Sequence, residues 1–284
     1  MTVTEIKKYI TNYLAGIYNK SEAESIAYII LEDELNMSKI DLILNSNNLV
    51  NEKSVDKIYE ILIQLEQNKP IQYILGYSYF YDLKFNVNKY TLIPRQETEL
   101  LVRKIIEKNK IKKNINIIDI GTGTGCIAIS IAKNLNSNVT AVDFSKEAII
   151  VAKSNAKLNN VTIKFEELDI LKSKNEIFSN KFDIIVSNPP YVTIHEKKKM
   201  LANVLKYEPY SALFIENKTP LKFYKAICIF AKNNLNNNGQ IWFEINEQFG
   251  NEMITLLRNN NFKHINLIKD LNNKNRIITG ILSS

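Results

Sequence analysis

A chain of 284 residues with 45% hydrophobic and 24% charged side chains has the ordinary globular mixture, and its length suits a medium domain joined to a smaller one. No run approaches the ~18 uninterrupted apolar residues of a membrane span, the start Met1-Thr2-Val3-Thr4-Glu5-Ile6-Lys7-Lys8 lacks a secretory signal pattern, and two cysteines (Cys126, Cys228) with two histidines (His195, His264) give neither a disulfide framework nor metal-ligand spacing. A cytoplasmic protein without metal or membrane partner is expected. The net charge of +7 is uneven: residues 1–90 hold 9 basic and 12 acidic side chains, the remainder 28 and 18. A basic C-terminal part can steer an acidic macromolecule, and a chain this rich in Lys, Asn and Ile acquires the same excess from coding bias.

From Thr4 to about Lys69 apolar residues recur at helical spacing: Ile6, Ile10 and Tyr13-Leu14 in one stripe, Ile26, Ile29-Ile30 and Leu35 in the next. Ser21 followed by Glu24 reads as a capping box for the second helix. A third helix opens near Ser54, carries Val55, Ile58, Ile61-Leu62 and Leu65, and ends before Pro70. Residues 1–75 are therefore expected to form a helical bundle. Between 76 and 92, Phe80, Leu83, Phe85 and Val87 around Asp82 predict a β-hairpin linker.

A helix beginning at Pro94 introduces the larger domain, 93–284. Strands are predicted at Ile115–Ile120, Val139–Val142, Val161–Phe165, Phe182–Val186, Gln240–Ile245, Ile265–Ile268 and Arg276–Leu282. Helices at Ile127–Leu135, Ser145–Leu158, Leu221–Leu235 and Glu252–Asn259 alternate with them. Such alternation argues for an α/β fold, a mostly parallel sheet covered on both faces. The Asn-rich stretch Asn233–Asn238 reads as a surface turn.

Three of the eight glycines sit in Gly121-Thr122-Gly123-Thr124-Gly125, between a strand and a helix. Glycine is needed where backbone turns tightly under a ligand, and the helix behind offers free N–H groups. Asp143, at the end of the next strand and 22 positions beyond Gly121, is placed to accept ribose hydroxyls of a dinucleotide or of S-adenosylmethionine. Two points favour S-adenosylmethionine without deciding. Cys126 stands where a dinucleotide fingerprint wants Gly or Ala, and Asp119 is an acidic group near where a methionyl ammonium would lie. Asp169 is a candidate acceptor for the adenine amino group, with Ile170 against the ring. If Asp143 has no ligand, it caps the helix near Ser145.

The fourth strand ends in Ser187-Asn188-Pro189-Pro190-Tyr191. The first proline forces Asn188 into an extended conformation, and neither proline offers an N–H, so the loop is rich in acceptors. The Asn188 side chain and the Pro189 carbonyl can grip both hydrogens of an –NH2 group. An amide or aryl nitrogen is a poor nucleophile because its lone pair is delocalised, and holding its hydrogens aims that lone pair at a sulfonium methyl. Positioning can supply several of the roughly 7–11 kcal/mol available from orientation, and acceptors near developing positive charge add an electrostatic share. Tyr191 would pack on the flat target group. Asn188, Pro189 and Tyr191 are thus the catalytic candidates, Asn188–Tyr191 the substrate loop, and Asn188 also borders the cofactor.

These residues resemble the HemK family, the glutamine N5-methyltransferases of peptide chain release factors. The likeness extends through Pro70-Ile71-Gln72-Tyr73-Ile74-Leu75-Gly76, Leu92-Ile93-Pro94-Arg95-Gln96-Glu97-Thr98-Glu99, Asp119–Gly125, Asn188–Tyr191, and Tyr207-Glu208-Pro209 with Ala212-Leu213-Phe214. Gln96, where proline is usual, and Tyr207, where phenylalanine is common, are mild departures. The resemblance implies a Rossmann-like seven-stranded methyltransferase domain after an N-terminal helical bundle that docks the substrate protein. It implies S-adenosylmethionine as cofactor and S-adenosylhomocysteine as product. Gly121, Thr122, Gly123, Thr124, Gly125, Asp143 and Ile170 would contact the cofactor, and Asn188–Tyr191 would receive the glutamine amide of a Gly-Gly-Gln loop. Class I release factors would be the partners of a monomeric enzyme.

An exocyclic-amine methyltransferase of DNA or RNA is the competing reading, because those enzymes share an Asn/Asp-Pro-Pro-aromatic loop. The net-acidic helical region matches a phosphate backbone poorly. A silent adaptor is a third, disfavoured by the intact pair of motifs. His195 and Glu196-Lys197-Lys198-Lys199 read as solvated, Cys126 as packing behind the glycine loop, and Trp242 as core.

Overall fold

The structure is a computed structural model that describes residues 1–173 and 175–283, apart from the side chain of Lys199; Ser284, the last residue of the expected larger domain, lies outside the described residues. The chain forms two compact units, Met1–Gly76 with Ala202–Tyr207, and Tyr77–Leu201 with Glu208–Ser284.

In the smaller unit α1 (Val3–Leu14), α2 (Lys20–Leu35), α3 (Lys39–Leu44), α4 (Glu52–Glu66) and α5 (Ile71–Leu75) surround one apolar core. A capping box opens α1: Glu5 N–H donates to Thr2 Oγ1 at 3.3 Å and Thr2 N–H to Glu5 Oε2 at 2.8 Å. Its stripe Ile6, Ile10 and Leu14 is wholly buried. Asn19, not Ser21, caps α2, accepting from Glu22 N–H at 3.0 Å. Asparagine caps as well as serine, and the earlier start adds two residues to the helix. Likewise Asn51, three residues before Ser54, caps α4. Helix α3 escapes periodicity because six residues are too few to show a stripe; its signal is the local capping box of Ser38 and Asp41.

The larger unit starts with the hairpin β1 (Tyr77–Phe80) and β2 (Leu83–Asn86), then α6 (Gln96–Asn109), β3 (Ile115–Ile120), α7 (Cys126–Asn134), β4 (Ser137–Asp143), α8 (Lys146–Leu158), β5 (Lys164–Glu167), β6 (Phe182–Ser187) and β7 (Val192–Thr193). Helix α9 (Ala202–Tyr207) belongs to the smaller unit. Then follow α10 (Tyr210–Leu213), β8 (Phe214–Ile215), α11 (Lys222–Asn234), β9 (Leu235–Glu244), α12 (Gly250–Asn259), β10 (Phe262–Lys269) and β11 (Asn275–Leu282). The hairpin expected as a linker is built into this unit, because Phe80 and Phe85 are buried in its core. Arg95 is extended, so α6 starts after the Pro94 expected to open it.

Seven strands pair in the order β10-β11-β9-β6-β3-β4-β5, with β11 alone antiparallel to its neighbours. This is the expected Rossmann-like α/β sheet. Alternation along each strand builds two cores: Ile118, Ile120, Ile185, Ile241 and Phe243 in one, Ile117, Ile184, Val186 and Trp242 in the other. Several strand boundaries shift, those of β5 and β9 among them. Pairing on β5 begins at Lys164, after Val161 and Ile163 have packed against the core. Strand β9 begins at Leu235, so part of the Asn-rich stretch is strand and not turn; Leu235 pairs with Phe182, and Asn236 Nδ2 donates to Asp183 Oδ1 at 2.8 Å.

The chain moves outward from β3 through β4 to β5, then returns to the other side of β3 as β6. At this reversal the loops leaving two adjacent strands diverge and open a crevice.

Asn155 of α8 ties the hairpin to the glycine loop. It is wholly buried; its Oδ1 accepts from Asn86 N–H at 2.7 Å, and its Nδ2 donates to Asn86 O at 3.0 Å and Thr124 O at 2.9 Å. Asn155→Ala leaves those backbone groups unpaired, and urea denaturation should show a loss of about 2–4 kcal/mol. A change below about 0.5 kcal/mol would show that the tie is dispensable.

Candidate active site

Register brings the two motifs together. Ile120 at the end of β3 lies opposite Ser187 at the end of β6, and Ser187 Oγ donates to Ile120 O at 2.6 Å. The next residues are Gly121 and Asn188, so both loops emerge side by side at the carboxyl edge of the sheet. Between them lies a cavity of about 450 Å3, within the ~300–1,000 Å3 usual for small-molecule sites.

The glycine loop is shaped by backbone geometry. Gly121, Gly123 and Gly125 have φ of +76°, +55° and +81°, a region that side chains disfavour. Gly121 and Thr122 donate their N–H groups to Val142 O at 2.9 and 3.0 Å, which pins the turn to β4. Gly121, Thr122, Gly123 and Thr124 line the cavity. Gly125 does not. It is packed between α7 and α8, where an added Cβ would lie 2.9 Å from Ile129 Cδ1 of α7 and 3.2 Å from Ala152 Cβ of α8.

Asp143 also lines the cavity, its oxygens oriented from behind by Gly123 N–H at 2.9 Å and Ser145 N–H at 3.0 Å. Burial raises its pKa, against the lowering effect of those N–H groups. Asp119 is placed differently. It is wholly buried below the loop, accepts from Thr122 Oγ1 at 2.6 Å, and does not line the cavity. Burial pushes its pKa up to about 7, and its bond from Thr122 ties it to the loop. Asp169 and Ile170 border the cavity; Asp169 accepts from Leu171 N–H at 3.0 Å.

On the other wall stand Asn188, Pro189 and Pro190. Asn188 Nδ2 donates to Thr98 Oγ1 at 3.2 Å, and Thr98 Oγ1 donates to Glu244 Oε2 at 2.7 Å. Tyr191 turns away from the cavity to pack on the sheet core, its hydroxyl donating to Glu244 Oε1 at 2.8 Å. Burial raises the pKa of Tyr191 well above its ordinary value, and the adjacent Glu244 adds to it. Cys126, expected behind the loop, borders the cavity, and burial raises its thiol to about 12. His195 is exposed, and the Lys199 side chain lies outside the described residues. Trp242 is core, with Nε1 donating to Gln240 Oε1 at 3.0 Å.

Thr98, Asn155 and Glu244 join the site although no motif picked them out individually. Thr98 lies within the Gln96–Glu99 segment. Glu244 had a legible signal: it is a charge at the end of the apolar run Ile241-Trp242-Phe243, and it is 1% exposed. A carboxylate is rarely buried without partners to receive it. Arg95 and Glu208 form a further pair at 2.6 Å that joins the entrance of α6 to the segment before α10.

Residues 5–76 match the PrmC N-terminal domain family and residues 111–242 the Methyltransferase domain family. The release factor glutamine methyltransferase of Flavobacterium psychrophilum is 48% identical over 280 residues, covering 96% of this chain and 98% of its own length. That of Bacteroides thetaiotaomicron is 38% identical over 98% of this chain and 99% of its own. A methyltransferase from Pyrococcus furiosus shares the fold, with a TM-score of 0.52 at 19% identity, over 78% of this chain and 98% of that one.

Gly125→Ala meets both an unfavourable φ and a crowded helix, so it should lower stability by about 2–3 kcal/mol, against about 1 kcal/mol for Gly123→Ala. Equal losses in chemical denaturation would refute the distinction. Asp119 ionises near 3.8 when unfolded and near 7 when folded, so the stability tied to its proton is complete below pH 3.8 and is lost as pH rises toward 7. In melts at pH 5 and pH 8, Asp119→Asn should therefore lose less stability between the two pH values than the parent. Parallel behaviour would assign the titration elsewhere.

Proposed function

We propose that this chain, which belongs to the release factor glutamine methyltransferase family, transfers a methyl group from S-adenosylmethionine to the side-chain amide nitrogen of the glutamine in the Gly-Gly-Gln motif of class I peptide chain release factors. The observation that carries this reading is the side-by-side exit of the glycine loop and the Asn188-Pro189-Pro190 loop from β3 and β6 into one cavity.

The lining fits such a cofactor. An added Cβ at Gly121 or Gly123 meets nothing within 4 Å among the described residues, which leaves room for close backbone approach. Asp143 is held by two backbone N–H groups and retains lone pairs for two ribose hydroxyls. Ile170, Phe223 and Ile227 give an apolar wall for an adenine ring, with Asp169 at its edge. When bound, S-adenosylmethionine supplies an electrophilic methyl group on a sulfonium and leaves as S-adenosylhomocysteine.

The protein's own contribution is orientation. Asn188 Oδ1 and Pro189 O accept the two hydrogens of the glutamine amide and turn the lone pair of its nitrogen toward the cofactor side of the cavity. As nitrogen gains positive charge, both acceptors stabilise it; the methylated nitrogen is then strongly acidic and its extra proton leaves to water, so no strong base is required. Asp119, Gly125 and Tyr191 act one layer back by holding the two loops in shape. In the cytoplasm, the helical unit supplies surface for the rest of the release factor; exposed Ile40, Ile43 and Leu44 on α3 support that role.

Mass spectrometry of a release factor incubated with the enzyme and S-adenosylmethionine should show one added methyl on the glutamine. Label appearing on nucleic acid and not on release factor would replace this reading with the exocyclic-amine alternative, which the basic C-terminal part favours. Asn188→Ala should reduce transfer by about 10²–10³-fold with cofactor affinity retained. Asp143→Ala should weaken cofactor binding first, and unaltered affinity in calorimetry would remove Asp143 from the site.

A further inference from the structure

We propose that Glu244 is a positioning residue that, through the Thr98 hydroxyl, sets which end of the Asn188 side-chain amide faces the cavity. The inference rests on the glutamine-methylation reading, because only a substrate bearing N–H donors requires the oxygen of Asn188 to face inward.

An asparagine amide has nearly the same shape whichever way its oxygen and nitrogen point, so packing alone scarcely distinguishes the two orientations. The wrong orientation would present NH2 to a substrate NH2, donor against donor. Something must polarise the amide, and the hydrogen bonds around it do so. The Glu244 carboxylate is an acceptor at both oxygens: Thr98 donates to Oε2 at 2.7 Å and Tyr191 to Oε1 at 2.8 Å. A hydroxyl has one proton. Once Thr98 donates its one hydrogen bond to Glu244, its oxygen can only accept from Asn188, and Asn188 Nδ2 does donate to it at 3.2 Å. The NH2 group is thereby committed to the protein, and Oδ1 is left for the cavity that Asn188 lines.

The surroundings make this relay strict. Glu244 is 1% exposed and Thr98 3%, so bulk water does not substitute for either partner. Burial pushes the Glu244 carboxyl above its ordinary pKa, while the hydroxyls of Thr98 and Tyr191 and the charge of Arg276 oppose that shift. Residue Ile277, next to Arg276 on β11, pairs with Glu244 across the sheet. Tyr224 donates to the Glu244 backbone oxygen at 2.9 Å, which holds the strand end still. Glu244 thus controls both ends of the substrate loop, Asn188 through Thr98 and Tyr191 directly. If it were only a satisfied core residue, the direction of the Thr98–Asn188 bond would have no effect on the reaction.

The test uses the full chain with Thr98→Val, Thr98→Ser, Glu244→Met and the double variant Thr98→Val/Glu244→Met. Valine keeps the shape of threonine and removes the relay, so kcat for release-factor methylation should fall by about 10²-fold, with S-adenosylmethionine affinity unchanged in calorimetry. Serine keeps the hydroxyl and should restore most of the rate. Glu244→Met should lose as much as Thr98→Val, and the double variant no more than either, because a relay fails once. In the ligand-free protein, the Asn188 side-chain NH2 protons in 15N NMR should be shifted downfield and slow to exchange, a signature lost in Thr98→Val and kept in Thr98→Ser. Should Glu244→Met not fold, the Thr98 pair and its NMR signature decide alone. Parent-like kcat in Thr98→Val, no rescue by serine, or additive losses in the double variant would each overturn the relay. A parent enzyme that leaves glutamine unmethylated would instead overturn the functional reading, with the NMR signature still testing the relay.

Discussion

The site depends on the parallel pairing of β3 with β6. Because Ile120 lies opposite Ser187 in register, the residues that follow are released at the same height on the sheet edge, one to either side of the reversal in strand order. The bond from Ser187 Oγ to Ile120 O ties the two exits at the last paired residues. A slip of one residue along β6 would exchange the faces on which Ile184, Ile185 and Val186 lie. The two buried cores therefore enforce the alignment that the site needs. Packing far from the cavity thus decides whether the two loops meet.

Each loop is supported by a buried carboxylate that does not itself line the cavity. Asp119 receives the Thr122 hydroxyl below the glycine loop, and Glu244 receives the hydroxyls of Thr98 and Tyr191 below the proline loop. Burial raises the pKa of both. Removing a carboxylate from water is unfavourable, and at Glu244 hydroxyl donors on both oxygens compensate. Asp143 differs because it reaches the cavity while two backbone N–H groups steady it from behind. The wall at Asn188–Pro190 offers oxygen acceptors and lacks proline N–H donors, which suits a reaction that places positive charge on nitrogen and is governed by orientation.

Much was legible in the chain itself. Alternating strands and helices after Asn114 gave the α/β class because periodicity of 2 and of 3.6 is local, and the boundaries of β3 emerged as expected. The glycine loop and the two prolines stood out because each imposes a backbone that ordinary residues avoid. Shorter or context-dependent features did not show. Helix α3 is only six residues long, β9 extends back into an Asn-rich stretch because β6 offers it a partner, and the cap of α2 was settled between two comparable residues.

Side-chain direction was the other hidden quantity. Tyr191 follows the proline pair and reads as a ring for the substrate, yet its hydroxyl finds Glu244, 53 residues away, and the ring turns into the core. Asp119 precedes the glycines and reads as a ligand contact, yet it is wholly buried beneath them. The amino-acid sequence alone determined which segments pair or coil and which loops carry unusual backbones, since these follow from neighbours a few residues apart. Tertiary structure alone decided which polar groups face the cavity and which hold it open, because a buried donor or acceptor must take its partner from whatever the fold brings near, however distant along the chain.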